Sequence, residues 1–270
     1  MGFYDCHNHT NESHDSNCDI NDLCLSSIGK GLSGIAVTDH CDIEYYTTTD
    51  CEGIVERSVS SAMTAQERFE GKLDILTGIE LGEIVWNESL SDKIINSHEL
   101  DIVIGSVHYS GASVYSVPFS RLDMSDFDMK ECREYLTYYF DDVRNMVYNY
   151  DIDVLAHLTI VLRYMCGKYH HNLDISEFYP QIDDILGKII KRGIALEVNT
   201  SSYKTVGFMP DCDILKIYRE KGGELITLGS DSHNACDVAS HFEEAKKLLN
   251  DLGFERAYYY KNRKPVAYTL

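Results

Sequence analysis

Two pairs of residues near opposite ends of the chain point to its chemistry. The stretch "YDCHNHT" holds His7 and His9 one residue apart, and "GSDSH" holds Asp231 and His233 at the same spacing. Side chains at i and i+2 of a β-strand project to one face, so each pair converges on one spot, the first with Asp5 beneath it. Imidazole is a ligand for zinc, manganese and iron, and a carboxylate can bridge two cations. Clusters of these groups around water are how multi-metal hydrolases are built. An isolated His-x-His is also an ordinary polar strand end, so the pairs gain meaning only from what the rest of the chain brings to them.

What must position them is a repeating grammar. Short apolar, β-branched runs end in a polar cluster and give way to a helix-compatible stretch. They are "FYDCHNH", "GIAVTDH", "LDILTGIELGE", "DIVIGSVH", "DVLAH", "GIALEVNTS" and "LITLGSDSH". This alternation predicts a parallel sheet with helical crossovers. Helices are expected at 20–30, 55–70, 129–149, 176–192, 211–221 and 240–252, with Gly31 and Gly193 suited to C-caps. The closing "ERAYYYKNRKPVAY" reads as a strand or hairpin, and Pro265 favours an edge position. Residues 109–128 are polar, aromatic and aperiodic; they are expected to form a surface excursion or, the favoured reading, a lid. No Pro-, Gly- or Ser-rich linker divides the sequence, so one domain over residues 1–270 is expected.

Of the eleven histidines, His7, His9, His40, His108, His157 and His233 fall at the C-terminal ends of these runs. So do Asp39, Glu80, Glu83, Glu197, Asn199 and Asp231. In a closed parallel barrel those ends meet around one mouth, which is where such barrels carry their chemistry. Singly, each could cap a strand or face solvent; six histidines at one rim imply a shared task. His98, His170, His171 and His241 have no strand end beneath them and read as surface or supporting residues. His14, beside Asp15 in "NESHDS", follows the first run closely enough for either side chain to return to the rim.

Composition narrows the partners. With 24 Lys plus Arg against 44 Asp plus Glu, the formal charge of -20 speaks against a nucleic acid held through its phosphates. No apolar run approaches a membrane span and no signal-peptide pattern is seen, so a cytoplasmic location and no membrane partner are expected. Nine cysteines without a C-x-x-C pair read as reduced thiols. Cys6 is expected to point away from the His7 and His9 face.

Taken in order, "HNH", "TDH", "GIE", "GSVH", "AH" and "GSDSH" resemble the motifs of the PHP (polymerase and histidinol phosphatase) superfamily of metal-dependent phosphoesterases. "SHDS", "TDHCD", "EVNTS", "GGELITLGSDSH", "FEEAKKLL" and "KNRKPV" look most like its histidinol-phosphate phosphatase branch, and the resemblance spans nearly the whole chain. It implies an α/β fold, a distorted (β/α)7 TIM-like barrel forming a single PHP domain. It also implies three divalent metal ions, and the ligands leave their identity open among Zn, Mn and Fe. Position by position, His7, His9 and Asp231 would hold the first metal, and Glu80 would bridge it to a second completed by His108 and His157. Asp15, His40 and His233 would hold the third. The third-metal ligand after the first motif is a carboxylate or a histidine in different relatives; "HD" offers both, and Asp15 is chosen over His14 because "S-x-D-S" matches the phosphatase branch. Where relatives have an arginine after "NTS", this chain reads "NTSSYK", leaving Lys204 as the nearest cation, without arginine's bidentate fork.

The implied reaction is hydrolysis of a small-molecule phosphomonoester by a hydroxide bridging two metals. The closest substrate is L-histidinol phosphate, yielding L-histidinol and phosphate in histidine biosynthesis. Arg163, in "AHLTIVLRY", is the candidate grip on the phosphate, with Lys204 a weaker one. Glu197 and Asn199 are candidates for contacts to the substrate's amine or imidazole. The proton for the leaving alkoxide has three candidate sources, a metal-bound water, Asp231 and Asp42. Two other readings stay open. One is a phosphoesterase of the same superfamily acting on another small phosphorylated metabolite or a nucleotide; the other is a non-catalytic metal-binding or regulatory barrel. Oligomeric state leaves no trace in the sequence.

Overall fold

The apolar runs become the staves of a barrel in the computed structural model, which describes residues 2–43, 50–110 and 117–270. They form β1 (Tyr4–Asp5), β2 (Gly34–Val37), β3 (His40–Asp42), β4 (Asp74–Gly82), β5 (Ile102–Ser106), β6 (Val154–Leu155), β7 (Ala195–Asn199) and β8 (Ile226–Gly229). All pair in parallel, in the order β1-β2-β4-β5-β6-β7-β8 with β3 beside β4. β2 and β3 are one expected run broken at Thr38 and Asp39. Both pair with β4 in one register, Val37 opposite Thr77 and His40 opposite Glu80. At the break the Thr38 N–H turns to the Asn8 carbonyl at 2.9 Å, and the Asp39 carboxylate accepts the Thr10 N–H and the hydroxyls of Thr10, Ser13 and Ser58.

Backbone bonds beyond β1 draw the first run to the last. The Cys6 N–H donates to the Leu228 carbonyl at 2.8 Å, Asp231 to His7 at 2.9 Å and His9 to Ser232 at 2.9 Å. The chain is a distorted (β/α)7 barrel: the parallel sheet follows its grammar, and the barrel is what the family resemblance implies.

One helix follows each run: α1 (Ile20–Gly29), α2 (Cys51–Arg68), α3 (Glu88–Ser97), α4 (Met129–Asn149), α5 (Tyr179–Arg192), α6 (Cys212–Glu220) and α7 (Phe242–Asp251). Side chains of Asp19, Asp50, Asn87, Asp128 and Asp211 accept N–H groups at five of their starts. The helix α3 is not among those expected. It buries only Leu90, Ser91, Ile94 and Ile95 over ten residues, too short a stripe for periodicity to stand out, although Asn87 ahead of the Leu90 and Ile94 spacing is a start signal.

The end of the chain folds into a hairpin of β9 (Arg256–Lys261) and β10 (Lys264–Thr269), with Pro265 on an edge opposite Tyr260. Ala257, Tyr260 and Tyr268 pack with Leu76, Ile102, Val154 and Ala195 inside the barrel, closing its floor. Cys6 belongs to this cluster, its sulfur 3.7 Å from the Tyr258 carbonyl and turned away from the histidines. All nine cysteines are free thiols. Among the described residues, no helix is long and apolar enough to cross a membrane.

Candidate metal centre

Alternation along β4 turns Glu80 into the barrel, two residues below the strand's end, where it is fully buried. Five histidines from four strand ends surround it and divide between its oxygens. Oε2 lies 3.3 Å from His7 Nε2, 3.5 Å from His9 Nε2 and 2.9 Å from His40 Nδ1. Oε1 lies 3.3 Å from His108 Nε2 and 2.9 Å from His157 Nε2. Asp231, just past β8 and at positive φ, places Oδ1 3.3 Å from His9 Nε2 and 3.9 Å from His7 Nε2. Asp15 lies 3.6 Å from His40 Nε2 and 3.2 Å from His233 Nε2, and the rings of His40 and His233 both stack on His9. The nine side chains named from the sequence as ligands therefore occupy one contiguous cluster. His14 borders the same cavity, its ring 5.2 Å from that of His40 and its Nδ1 3.9 Å from Asp42 Oδ2.

Buried polar atoms normally find partners, and leaving one unpaired costs about 1–3 kcal/mol. Among the described residues, His7 Nε2, His9 Nε2, His40 Nδ1 and Glu80 Oε2 are buried without a hydrogen-bond partner. Donor atoms converge within 4.8 Å in the trios His7, His9, Asp231; His7, Glu80, His157; His40, Glu80, His108; and His9, His40, His233. Imidazole nitrogens and carboxylate oxygens in this arrangement fit divalent cations. Burial disfavours charge on Glu80, but His40, His7 and His108 outweigh it and hold the carboxyl well below the usual range. Burial and His40 push His9 down to about 4, which keeps it in the neutral form a ligand needs. Glu83 moves the other way, pushed up to about 8 by burial and then by Asp42.

Glu197 lies against His7 and His157, and neither it nor Asn199, both expected at the substrate, borders the cavity above the cluster. Glu197 Oε1 is 2.7 Å from His7 Nδ1, and its Oε2 accepts the His157 N–H at 2.7 Å and Asn199 Nδ2 at 3.2 Å. A strand rises about 3.3 Å per residue, so a side chain two residues short of the end of β7 shares the rim's face but sits a layer deeper. Gly229 makes the room: a Cβ there would stand 2.0 Å from Glu197 Oε1. Asn199 Oδ1 accepts the N–H and hydroxyl of Ser201 at 3.1 and 2.6 Å.

Above the cluster a cavity of about 440 Å³ opens, bordered by Asp15, Asp42, Glu83, Arg163 and Asp231. Arg163 begins a short π-helical turn (Arg163–Lys168), donates to the Ser201 and Ser202 hydroxyls, and brings Nη2 within 3.5 Å of Asp231 Oδ2. Lys204 is exposed and does not border the cavity. Of the expected lid, 118–121 form one wall of the mouth, while 111–116 lie outside the described residues. Sequence reasoning passed over Arg121 on that wall and the serines that fix Arg163; "NTSS", at the end of a strand run, was the available signal for the serines.

The PHP domain family model matches residues 5–201 of this chain. A histidinol-phosphatase of Lactococcus lactis subsp. lactis is 30% identical over 93% of this chain and 91% of its own length. A probable histidinol-phosphatase of Clostridium acetobutylicum is 29% identical over 96% of this chain and 97% of its own. Among solved structures, the histidinol phosphate phosphatase of Lactococcus lactis subsp. lactis, complexed with zinc, L-histidinol and phosphate, matches the fold with a TM-score of 0.77. It does so at 23% identity, covering 98% of this chain and 99% of that one.

Proposed function

The chain belongs to the PHP domain family, and from that premise we propose that it is a histidinol-phosphate phosphatase, hydrolysing L-histidinol phosphate to L-histidinol and phosphate. The observation that carries the reading is the division of five histidines between the two oxygens of one buried glutamate. Similarity over nearly the whole length to histidinol-phosphatases supports the substrate. In this reading His7, His9 and Asp231 hold one divalent cation, and His108 and His157 hold a second. Glu80 lies between the two, and Asp15, His40 and His233 hold a third. Zn, Mn or Fe suits these donors. When bound, such cations supply positive charge to a phosphoryl group and make water acidic enough to attack phosphorus near neutral pH.

The chain's own side chains do the positioning. Arg163, fixed by Ser201, Ser202 and Asp231, offers its remaining N–H groups to a phosphate oxygen. Glu197 holds the proton of His7 on Nδ1, so that Nε2 faces Glu80 as a lone-pair donor. Of the carboxyl groups that border the cavity, Asp231 and Asp42 are the candidates, beside a metal-bound water, to pass a proton to the leaving alkoxide. The whole chain, residues 1–270, acts as one domain on a small molecule. Phosphate release tests the reading, with L-histidinol phosphate, nucleoside monophosphates and a phosphodiester offered to protein supplied with Mn²⁺ or Zn²⁺. Preference for L-histidinol phosphate is the expected result. Turnover confined to other esters replaces the substrate, and no release from any of them leaves a metal-binding barrel without catalysis.

A further inference from the structure

Two carboxylates at the mouth stand outside the nine-residue cluster, and one of them has no role in the mechanism above. Glu83 follows Gly82 at the end of β4, is 1% exposed, and has φ 50° and ψ 32°, a left-handed conformation that few L residues adopt. Its Oε1 is committed, accepting the backbone N–H groups of His108 at 2.5 Å and Tyr109 at 2.9 Å. Its Oε2 is buried and, among the described residues, has no hydrogen-bond partner. Asp42, from β3, is also buried and leaves Oδ1 without a hydrogen-bond partner among the described residues. Gly82 allows it that place, since a Cβ there would stand 2.3 Å from the oxygen. Donor atoms of Asp42, Glu83 and His108 lie within 4.8 Å of one another, and both carboxylates border the cavity.

Two carboxyl groups buried side by side at one cavity resist both being ionised until a cation sits between them. A metal ion suits the place poorly. His108 turns Nε2 toward Glu80 Oε1 at 3.3 Å, so a ring ligating through Nε2 carries its proton on Nδ1, 3.6 Å from Asp42 Oδ1. That leaves two carboxylates, with the exposed His14 on their outer side, its Nδ1 3.9 Å from Asp42 Oδ2. A primary ammonium needs only acceptors for its three N–H groups and imposes no coordination geometry.

We propose that Glu83, with Asp42 beside it, is the recognition point for an ammonium group on the substrate, selecting aminoalkyl phosphomonoesters over uncharged ones. The proposal rests on the phosphomonoesterase reading and deepens it. Arg163 takes the anionic end of a zwitterionic substrate, and Glu83, at another strand end, takes the cationic end.

Glu83→Gln separates this role from a structural one. The amide oxygen still accepts the His108 and Tyr109 N–H groups, while the side facing the mouth becomes a neutral donor. The substrate pair is 2-aminoethyl phosphate and ethyl phosphate, which differ only in the ammonium group, run beside L-histidinol phosphate. Wild-type protein is expected to favour the amino ester in kcat/KM by roughly ten- to a hundredfold, the scale of one charge-assisted contact. In E83Q that preference disappears through KM, with ethyl phosphate turnover and bound metal unchanged. L-Histidinol binding followed by calorimetry, which needs no turnover, weakens by a similar factor. Equal use of both esters by the wild type, or a preference that E83Q keeps, overturns the proposal. So does loss of both esters together with bound metal, which would assign Glu83 to holding the His108 backbone. A Glu83-dependent preference without turnover of L-histidinol phosphate removes that substrate and leaves the ammonium site standing. No release from any ester removes both.

Discussion

The two ends of the barrel bury charge to a similar depth and treat it in opposite ways. At the floor, Asp101 accepts the Asn262 N–H at 2.9 Å and Lys261 Nζ at 3.1 Å, while Asp153 accepts the Val103 N–H at 2.7 Å and Nε of Arg263. These hairpin donors come from the turn between β9 and β10, where Asn262 and Arg263 sit at φ 50° and 61° as a two-residue hairpin turn requires. At the mouth, atoms of His7, His9, His40 and Glu80 are equally buried and have no such partners among the described residues. The two floor aspartates are satisfied by the chain itself. The mouth is complementary to something of opposite character to its donors. Unpaired buried atoms that cost about 1–3 kcal/mol each are retained where a ligand offsets them.

The contrast breaks most completely at Glu80, the one side chain that faces all five histidines. In Glu80→Ala, phosphate release is expected to fall by at least roughly a thousandfold, the loss of about 4 kcal/mol of transition-state stabilisation. Elemental analysis of protein purified without chelators should find more than one divalent equivalent in the wild type and fewer in the variant, whose circular dichroism stays that of a folded barrel. A variant that keeps wild-type kcat would sink the assignment of Glu80 as the bridge.

Arg163 comes next, because it serves the substrate rather than the cluster. A charge-assisted contact is worth roughly 1.5–3 kcal/mol, so Arg163→Ala should lower kcat/KM by about ten- to a hundredfold. The loss should appear mainly as a higher KM, with bound metal unchanged. Arg163→Lys should recover only part, since a point charge replaces a planar fork. Unaltered steady-state kinetics in both variants would move the phosphate grip to the wall at 118–121.

How far each end was legible in the sequence follows from how local its signals are. The rim could be read because its residues close short apolar runs, and His7 with His9 or Asp231 with His233 share a face at a spacing of two. The start of α4 could be read to the residue because Asp128 and Glu131 cap each other. Depth could not be read. Glu197 shares the rim's face, and only the observed end of β7 shows it a layer lower, against His7 rather than on the cavity. The floor was silent. An aspartate ahead of "IVIG" or "VLAH" looks like a turn residue, and the partner of Asp153 lies 110 positions away. The break at Thr38 and Asp39 is hidden for the same reason, its partners being Asn8, Thr10, Ser13 and Ser58.

Glu197 therefore sharpens the comparison, since beside the cluster it is satisfied as the floor aspartates are. Glu197→Gln keeps the shape but removes the charge that holds the His7 proton. Supporting carboxylates of this kind are typically worth ten- to about a hundredfold in metal affinity or activity. A lower metal affinity with little change in KM is expected, read by chelator competition. A higher KM for L-histidinol phosphate at unchanged metal affinity would return Glu197 to the substrate.

Arg263→Ala should have the smallest effect on turnover, and it tests whether the two ends are independent. The variant leaves the Asp153 carboxylate buried with the Val103 N–H but without its guanidinium. Burial already pushes that carboxyl up, against Arg263, so losing the cation should cost stability, about 1–3 kcal/mol. For a chain of this size each kilocalorie lowers Tm by roughly 2–4 °C. Adding Asp153→Asn should recover part of the loss, because an amide needs no counter-ion. Bound Mn²⁺ should raise Tm by the same amount in wild type and variant, as expected for distant sites that share no partners. kcat should be unchanged at a temperature where both are folded. If Arg263→Ala lowers kcat there, or loses the stabilisation by Mn²⁺, strain at the floor is transmitted along the strands to the mouth, and the two ends cannot be treated as separate devices.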